Sequence, residues 1–126
     1  MQDFRNLKMW QKAHSLTLAV YRATRHFPAD ERYGLTSQLR RSCASISANL
    51  AEGCARGGDT DFARFVNVAA ASASETDYHL LLAHDLEYLD ESDYLSLLEQ
   101  VSEVMRMLNS FERTLRGTSQ TFLANS

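Results

Sequence analysis

The stretch QLRRSCASISANLAEGCARG, residues 38–57, decides the fold of this chain. On a helical wheel of about 100° per residue, its large apolar side chains continue a stripe that begins a few residues earlier. The members of this stripe fall within about 80° of one another; they are Leu35, Leu39, Cys43, Ile46 and Leu50. The pattern predicts an amphipathic helix over residues 33–52, with Gly53 as the residue that ends it.

Three further segments of the chain have helical periodicity, and none sustains the alternation of a strand. The first covers residues 7–26 and ends before Pro28, because proline disfavours a helical conformation in the residue before it. The next covers residues 59–88 with Asp59 as its N-cap, and the last starts at Asp90 or Ser92 and stops before Gly117. Short links between long amphipathic helices favour an all-α, antiparallel up-down-up-down four-helix bundle.

The length and composition of the chain indicate a single globular domain. Its 126 residues are 44% hydrophobic and 23% charged, close to the globular average. We assign the bundle to residues 1–116 and expect residues 117–126 to form a polar, frayed tail. The N-terminus lacks the apolar region of a secretory signal, and the longest uncharged runs are half a membrane span. The sequence predicts a cytoplasmic protein that has no contact with a membrane.

The side of the second helix opposite its core stripe carries small residues where a solvent-facing helix usually carries long charged ones. These residues are Ser37, Ala44, Ala48 and Ala51. The third helix has a similar apolar surplus behind its own stripe, including Tyr78 and Leu82. A helix that is apolar nearly all round must be covered, so these six positions predict a subunit interface. The alternative is that alanine merely raises helix propensity on an exposed face.

A polar stripe lies beside the small residues of the second helix. It consists of Gln38, Arg41, Asn49 and Glu52, with Ser45 between them. Polar groups are costly to bury unless they are paired. We therefore predict a polar network that joins this stripe to Glu75, with Arg41 paired to Glu52 or Glu75 across a helix contact or a subunit boundary.

No residue pattern in the sequence indicates catalysis, a metal or a cofactor. A di-metal carboxylate bundle needs Glu-x-x-His on two helices, whereas the nearest match, Glu75 and His79, is spaced by four and occurs once. Cys43 and Cys54 are eleven positions apart. Within one helix, their Cα atoms would lie about 16 Å apart, too far for a disulfide. We predict reduced cysteines, no metal, no cofactor and no enzymatic activity.

The charge of the chain is unevenly distributed. Residues 1–64 hold ten Lys and Arg against six Asp and Glu, whereas residues 65–126 hold three against ten. The candidates for nucleic-acid contact all lie in the basic half; they are Lys8, Lys12, Arg40, Arg56 and Arg64. The net charge of −3 opposes long-range attraction to a polyanion, so we expect any such binding to be weak.

Combined motifs over residues 4–116 resemble those of the bacterial four-helix-bundle proteins called 23S rRNA intervening-sequence proteins. The opening is Phe-x-x-Leu-x-x-Trp-x-x-Ala from residue 4, followed by Phe-Pro-x-x-Glu from residue 27. Tyr-Gly-Leu-x-x-Gln-x-x-Arg then starts at residue 33, and Ser-Ile-x-x-Asn-x-x-Glu-Gly at residue 45. One departure is Ala71, near which the family usually has a glycine, and this narrows the room for a neighbouring backbone.

The resemblance implies an antiparallel bundle that assembles as a ring, commonly a pentamer, with no known enzymatic activity. Some members of the family are encoded within insertions in ribosomal RNA genes. Relatives serve diversity-generating retroelements as basic, nucleic-acid-binding accessory proteins. We therefore expect a homo-oligomeric structural or adaptor protein with a possible protein partner; the alternative is an accessory protein of a ribonucleoprotein or retroelement.

Overall fold

A computed structural model describes residues 3–125, with side chains through residue 115. Four helices make up nearly all of this range: α1 (Lys8–Thr24), α2 (Leu35–Arg56), α3 (Asp59–Asp85) and α4 (Glu91–Asn125). Short 3₁₀ turns, Phe4–Asn6 and Ala29–Glu31, precede α1 and α2. Residues 3–125 contain no strand, so the predicted all-α class is confirmed.

Contacts between side chains fix the direction of each helix relative to its neighbour. Ser42 of α2 contacts His79 of α3, whereas Ser45, one turn later in α2, contacts Ser72, two turns earlier in α3. The two helices are therefore antiparallel. The other consecutive pairs run in opposite directions by the same criterion, from the contacts Thr17–Cys43 and Thr24–Arg40, and His84–Tyr94 and Phe62–Phe111.

The helices close into a four-sided bundle in the order α1, α2, α3, α4. Besides the consecutive pairs, α1 packs against α4, and the ion pair between Lys12 and Glu103 bridges them at 3.5 Å. In the described part of the chain, neither diagonal pair of helices is in contact. The side formed by α2 and α3 is consequently opposite the side formed by α1 and α4.

All five apolar residues predicted for the core stripe of α2 are buried. Leu16 of α1 meets them from one side and Leu80 of α3 from the other, and both are fully buried. Val101 and Leu108 of α4 complete the core. Burial of each leucine contributes about 2 kcal/mol relative to leaving it exposed, so this apolar stripe stabilises the bundle.

Several helix ends differ from those predicted, and two of the differences lie where α2 leads into α3. Gly53 lies inside α2, and Gly57, with φ of 81°, ends the helix instead. A Cβ atom at Gly53 would lie 3.0 Å from the Cβ of Phe65, so this glycine permits close packing of α2 on α3. Gly58, rather than Asp59, is the N-cap of α3.

At the other end of the bundle, Asp90 precedes α4 and accepts a 2.7 Å hydrogen bond from the Asp93 amide, which confirms the predicted cap. The predicted stop before Gly117 is wrong, because α4 continues to Asn125. A single glycine costs a helix only about 1 kcal/mol, and no proline follows it. The side chains of residues 118–126 lie outside the described ones, so the division into bundle and tail stays a prediction.

The connection between α1 and α2 is fastened by one carboxylate. Glu31 Oε1 accepts a 3.1 Å hydrogen bond from the Leu35 amide at the start of α2. Glu31 Oε2 accepts a 2.9 Å bond from the Tyr88 hydroxyl, which follows α3. Phe27 packs against the Tyr88 ring, 5.5 Å between centroids. The Phe-Pro-x-x-Glu motif thus ties the beginning of α2 to the end of α3.

The absence of a side chain at Gly34 leaves space for the Glu31 carboxylate, because a Cβ atom at residue 34 would lie 2.6 Å from Glu31 Oε1. Gly34→Ala should displace the carboxylate and lower the free energy of unfolding by about 1 kcal/mol, the usual value of a helix cap. Glu31→Ala should have a similar effect, and the double variant should cost little more than either alone, because both changes remove the same bonds. Urea unfolding measures all three, with the exposed neighbour Asp30→Ala as control. Additive losses would contradict this account.

Candidate subunit interface on α2 and α3

The predicted small-residue side of α2 has little cover from its own chain. Ser37 and Ala48 are exposed, whereas Ala44 and Ala51 are half-buried. Among the other three helices, within the described residues, α2 packs against α1 and α3, and it also touches the two 3₁₀ turns. Any further protein contact on this side would come from another molecule.

The adjoining side of α3 exposes large apolar side chains. Tyr78 is 58% exposed and Val68 is 43% exposed, whereas Leu82 is half-buried. Because Ser72 and His79 point at α2, the residues beside them around α3, on the side away from the core, flank the contact between the helices. We call the resulting surface the α2–α3 face; it consists of Ala44, Ala48, Val68, Ala71, Tyr78 and Leu82.

A line of hydrogen-bonded polar side chains lies under the α2–α3 face, between the two helices. The Asn49 amide donates to Ser45 Oγ at 2.9 Å, and Ser45 Oγ lies 2.8 Å from Ser72 Oγ. Further along, Thr76 Oγ1 lies 3.0 Å from Ser42 Oγ. Ser42 Oγ in turn lies 3.2 Å from Nδ1 of His79. We call these six residues the polar seam.

The polar seam overlaps the predicted polar stripe at two residues, Ser45 and Asn49. Gln38, Arg41 and Glu52 are exposed on the surface outside it. Glu52 forms a 2.9 Å ion pair with Arg56 rather than with Arg41. Glu75 is exposed and lies closest to the seam, with its Oε1 atom 3.9 Å from His79 Nε2.

Sequence reasoning missed four members of the seam, and these are Ser42, Ser72, Thr76 and His79. Three of them are small hydroxyl residues, which resemble alanine in a wheel analysis. Their partners are 27 to 37 positions away in the chain. A sequence signal existed in the i, i+3 and i+4 spacing of Ser72, Thr76 and His79, which places them on one side of α3.

His79 is the member of the seam whose pKa is shifted. Its side chain is 7% exposed. Burial, which disfavours the charged ring, lowers the pKa of His79, and the charge of Arg41 lowers it further, while the Glu75 carboxylate opposes both. Arg41 has no ion pair within 4.0 Å among the described side chains.

The cations predicted for nucleic-acid contact are spread over several sites, and only two of them converge. Arg56 and Arg64 lie against the same ring, with their Cζ atoms 5.5 and 5.0 Å from the Phe65 centroid. Both also form ion pairs, with Glu52 and Asp61. The others lie on α1 and the α1 side of α2: Lys8 is exposed, Lys12 pairs with Glu103, and Arg40 donates a 2.7 Å bond to Thr24.

The remaining reactive side chains do not form a chemical centre. Cys43 and Cys54 are both buried and free, and burial raises the pKa of the Cys43 thiol to about 11. Burial also raises the pKa of Cys54. The described side chains contain no group of three or more His, Cys, Asp and Glu that could hold a metal ion. Over the same range, none of the helices is long and apolar enough to cross a membrane.

The lowered pKa of His79 predicts a specific dependence of stability on pH. Its contribution is complete above the unfolded pKa, about 6.5, and is lost as the pH falls toward the lower folded pKa. His79→Gln should flatten the decline in the free energy of unfolding between pH 7.5 and 5, measured by urea titration. The exposed His26→Gln serves as the matched control. An unaltered slope in His79→Gln would refute the assignment.

Comparisons with known proteins agree with the fold and the motifs. A family model described as 23S rRNA-intervening sequence protein matches residues 5–110. No curated protein matches the chain. The chain is also similar to a crystal structure at 1.70 Å resolution, with 25% sequence identity. That structure is of a protein with unknown function from the S23 ribosomal protein family, from Bacteroides thetaiotaomicron VPI-5482. The match covers 82% of this chain and 97% of that chain, with a TM-score of 0.74. The chain belongs to the 23S rRNA-intervening sequence protein family.

Proposed function

We propose that this chain is a non-enzymatic subunit of a homo-oligomer that acts as a structural or adaptor protein in the cytoplasm. The resemblance to its family implies a ring of five copies. The observation that carries the proposal is the α2–α3 face, on which exposed alanines adjoin exposed Val68 and Tyr78. Two buried, free cysteines fit a reducing compartment.

The composition of the α2–α3 face favours a protein partner over solvent. Ala44, Ala48 and Ala71 allow the backbone of a neighbouring helix to approach closely, and the larger side chains around them offer apolar area. Aromatic residues such as Tyr78 are enriched in interfaces because they combine a large apolar surface with a polar end. Beneath this face, the polar seam satisfies its own hydrogen bonds, so covering the face would not strand those groups.

The chemistry of the buried polar groups supports a non-enzymatic role. Ser42, His79 and Glu75 follow one another as a nucleophile, a base and an acid would, but Ser42 is only 4% exposed and accessible to no substrate. Neither thiol is activated, since burial raises both pKa values. A structural role of the seam accounts for these residues without a reaction.

The alternative is a nucleic-acid-binding accessory protein. Its support is the convergence of Arg56 and Arg64 on Phe65, because arginine and an aromatic ring together can hold a phosphate and stack on a base. The net charge of −3 and the ion pairs of both arginines weigh against it.

Ala48→Glu should dissociate the assembly, because it introduces a charge into the middle of the α2–α3 face. The protomer should keep its helicity, since residue 48 is exposed and glutamate is a good helix former. Size-exclusion chromatography with light scattering should give a multiple of 14.2 kDa for the wild type and the mass of one chain for the variant. Asn109→Glu, exposed on α4, is the control. If Ala48→Glu has the same mass as the wild-type assembly, the proposal is contradicted.

A gel-shift titration with single-stranded RNA at low ionic strength tests the alternative. We expect no shift, because the acidic protein gains little from releasing counterions. A shift that is abolished in Arg56→Glu/Arg64→Glu and unchanged in Lys12→Glu would instead favour the accessory-protein function.

A further inference from the structure

A homo-oligomer can form by two kinds of contact, and they make different demands on the surface. In an isologous contact, the same patch meets itself around a twofold axis and the assembly is a dimer. In a heterologous contact, one patch meets a different patch on the next copy, and repetition gives a ring where the rotation between copies closes and an open filament where it does not. A ring built on the α2–α3 face therefore needs a second surface elsewhere on the bundle.

A groove between α1 and α4 lies on the opposite side of the bundle from the α2–α3 face. Its volume is about 260 Å³. Small residues and one buried leucine form its floor, and these are Ala19, Ala23 and Leu97. Polar side chains form its walls: Arg22, His26, Asp93, Ser96 and Gln100. The alanines create the groove, because larger side chains at these two positions would fill the space between the helices.

The charged walls of the groove have no ion pairs of their own. Neither Arg22 nor Asp93 lies within 4.0 Å of an oppositely charged side chain among the described residues, although Lys12 and Glu103 pair between the same two helices. The polar interaction within the groove joins the Gln100 amide to Ser96 Oγ, at 3.3 Å. Arg22 and Asp93 are thus available to groups outside the chain.

The α2–α3 face carries charges of the complementary kind. Arg41 has no ion pair within the protomer, and Glu75 has only the neutral His79 at 3.9 Å. Each surface therefore offers one cation and one anion that have no Lys, Arg, Asp or Glu partner within 4.0 Å among the described side chains. Complementary charges of this kind fix the register of an interface and disfavour wrong partners.

We propose that the groove between α1 and α4 of one copy receives the α2–α3 face of the next copy, so that Arg41 meets Asp93 and Glu75 meets Arg22. This inference rests on the proposed function, because it names the second half of the same subunit contact. Small residues line both surfaces, so helices from the two copies can approach closely. Since the two surfaces lie on opposite sides of the bundle, each copy binds one neighbour on either side.

A pair of complementary variants distinguishes this arrangement from an isologous one. Ala48→Glu blocks the α2–α3 face and leaves the groove intact; Ser96→Glu blocks the groove and leaves the face intact. Ser96 is exposed, so the fold should persist, which circular dichroism checks. Each variant alone should have the mass of one chain. A mixture of the two should form a dimer of one copy each, because one intact pair of surfaces remains.

The controls separate failure of this inference from failure of the proposed function. A wild type with the mass of one chain would overturn both. An oligomeric wild type whose mass is unchanged by Ser96→Glu would overturn the groove assignment and leave the α2–α3 face as an isologous contact. Monomeric variants that do not combine would also overturn it. Asn109→Glu, about 180° around α4 from Gln100, should leave the mass unchanged.

Charge reversal tests the register of the contact. Arg41→Glu and Asp93→Arg should each raise the dissociation constant about tenfold, and the double variant should recover most of that loss. Both residues are exposed in the protomer, so the fold should persist, and an unchanged far-ultraviolet circular dichroism spectrum checks this. If the double variant loses as much binding free energy as the two single variants together, the pairing of Arg41 with Asp93 is overturned.

Discussion

The close approach of α2 to α3 is the constraint on which the rest of the structure depends. At Gly53 a Cβ atom would lie only 3.0 Å from the Cβ of Phe65, and about two turns earlier in α2 serines from both helices meet at 2.8 Å. Large side chains would separate the helices at these positions. Because the contact is made by small polar groups, the apolar residues of both helices are displaced to its two edges. The inner edge forms the core, and the outer edge forms the α2–α3 face.

The polar seam gives this close contact a specific register. A contact between small apolar residues alone would tolerate sliding of one helix along the other, since alanines and glycines offer few interlocking shapes. Hydroxyl groups bonded across the helices lose their partners if the helices shift by one turn, and each stranded group costs about 1–3 kcal/mol. His79 extends this register to the surface through Glu75. The seam thereby holds the two halves of the face in fixed relation.

The sequence allowed the prediction of elements whose evidence is local. The core side of α2 is visible as a stripe of five residues, and the start of α4 is visible as Asp90 before a run of helix formers. Gly53 was misassigned because a glycine that ends a helix and a glycine that admits a neighbouring helix look alike in one dimension. His79 was missed for a related reason: a buried histidine is defined by its partner Ser42, 37 positions away.

The Phe-Pro-x-x-Glu motif illustrates the same limit. Its spacing is recognisable in the sequence, but its physical basis requires Tyr88, 57 positions from Glu31. With that contact in place, α2 begins at a fixed point relative to the end of α3, and the small residues of both helices come into register further along. A local motif at one end of the bundle and the polar seam in its middle therefore impose the same alignment.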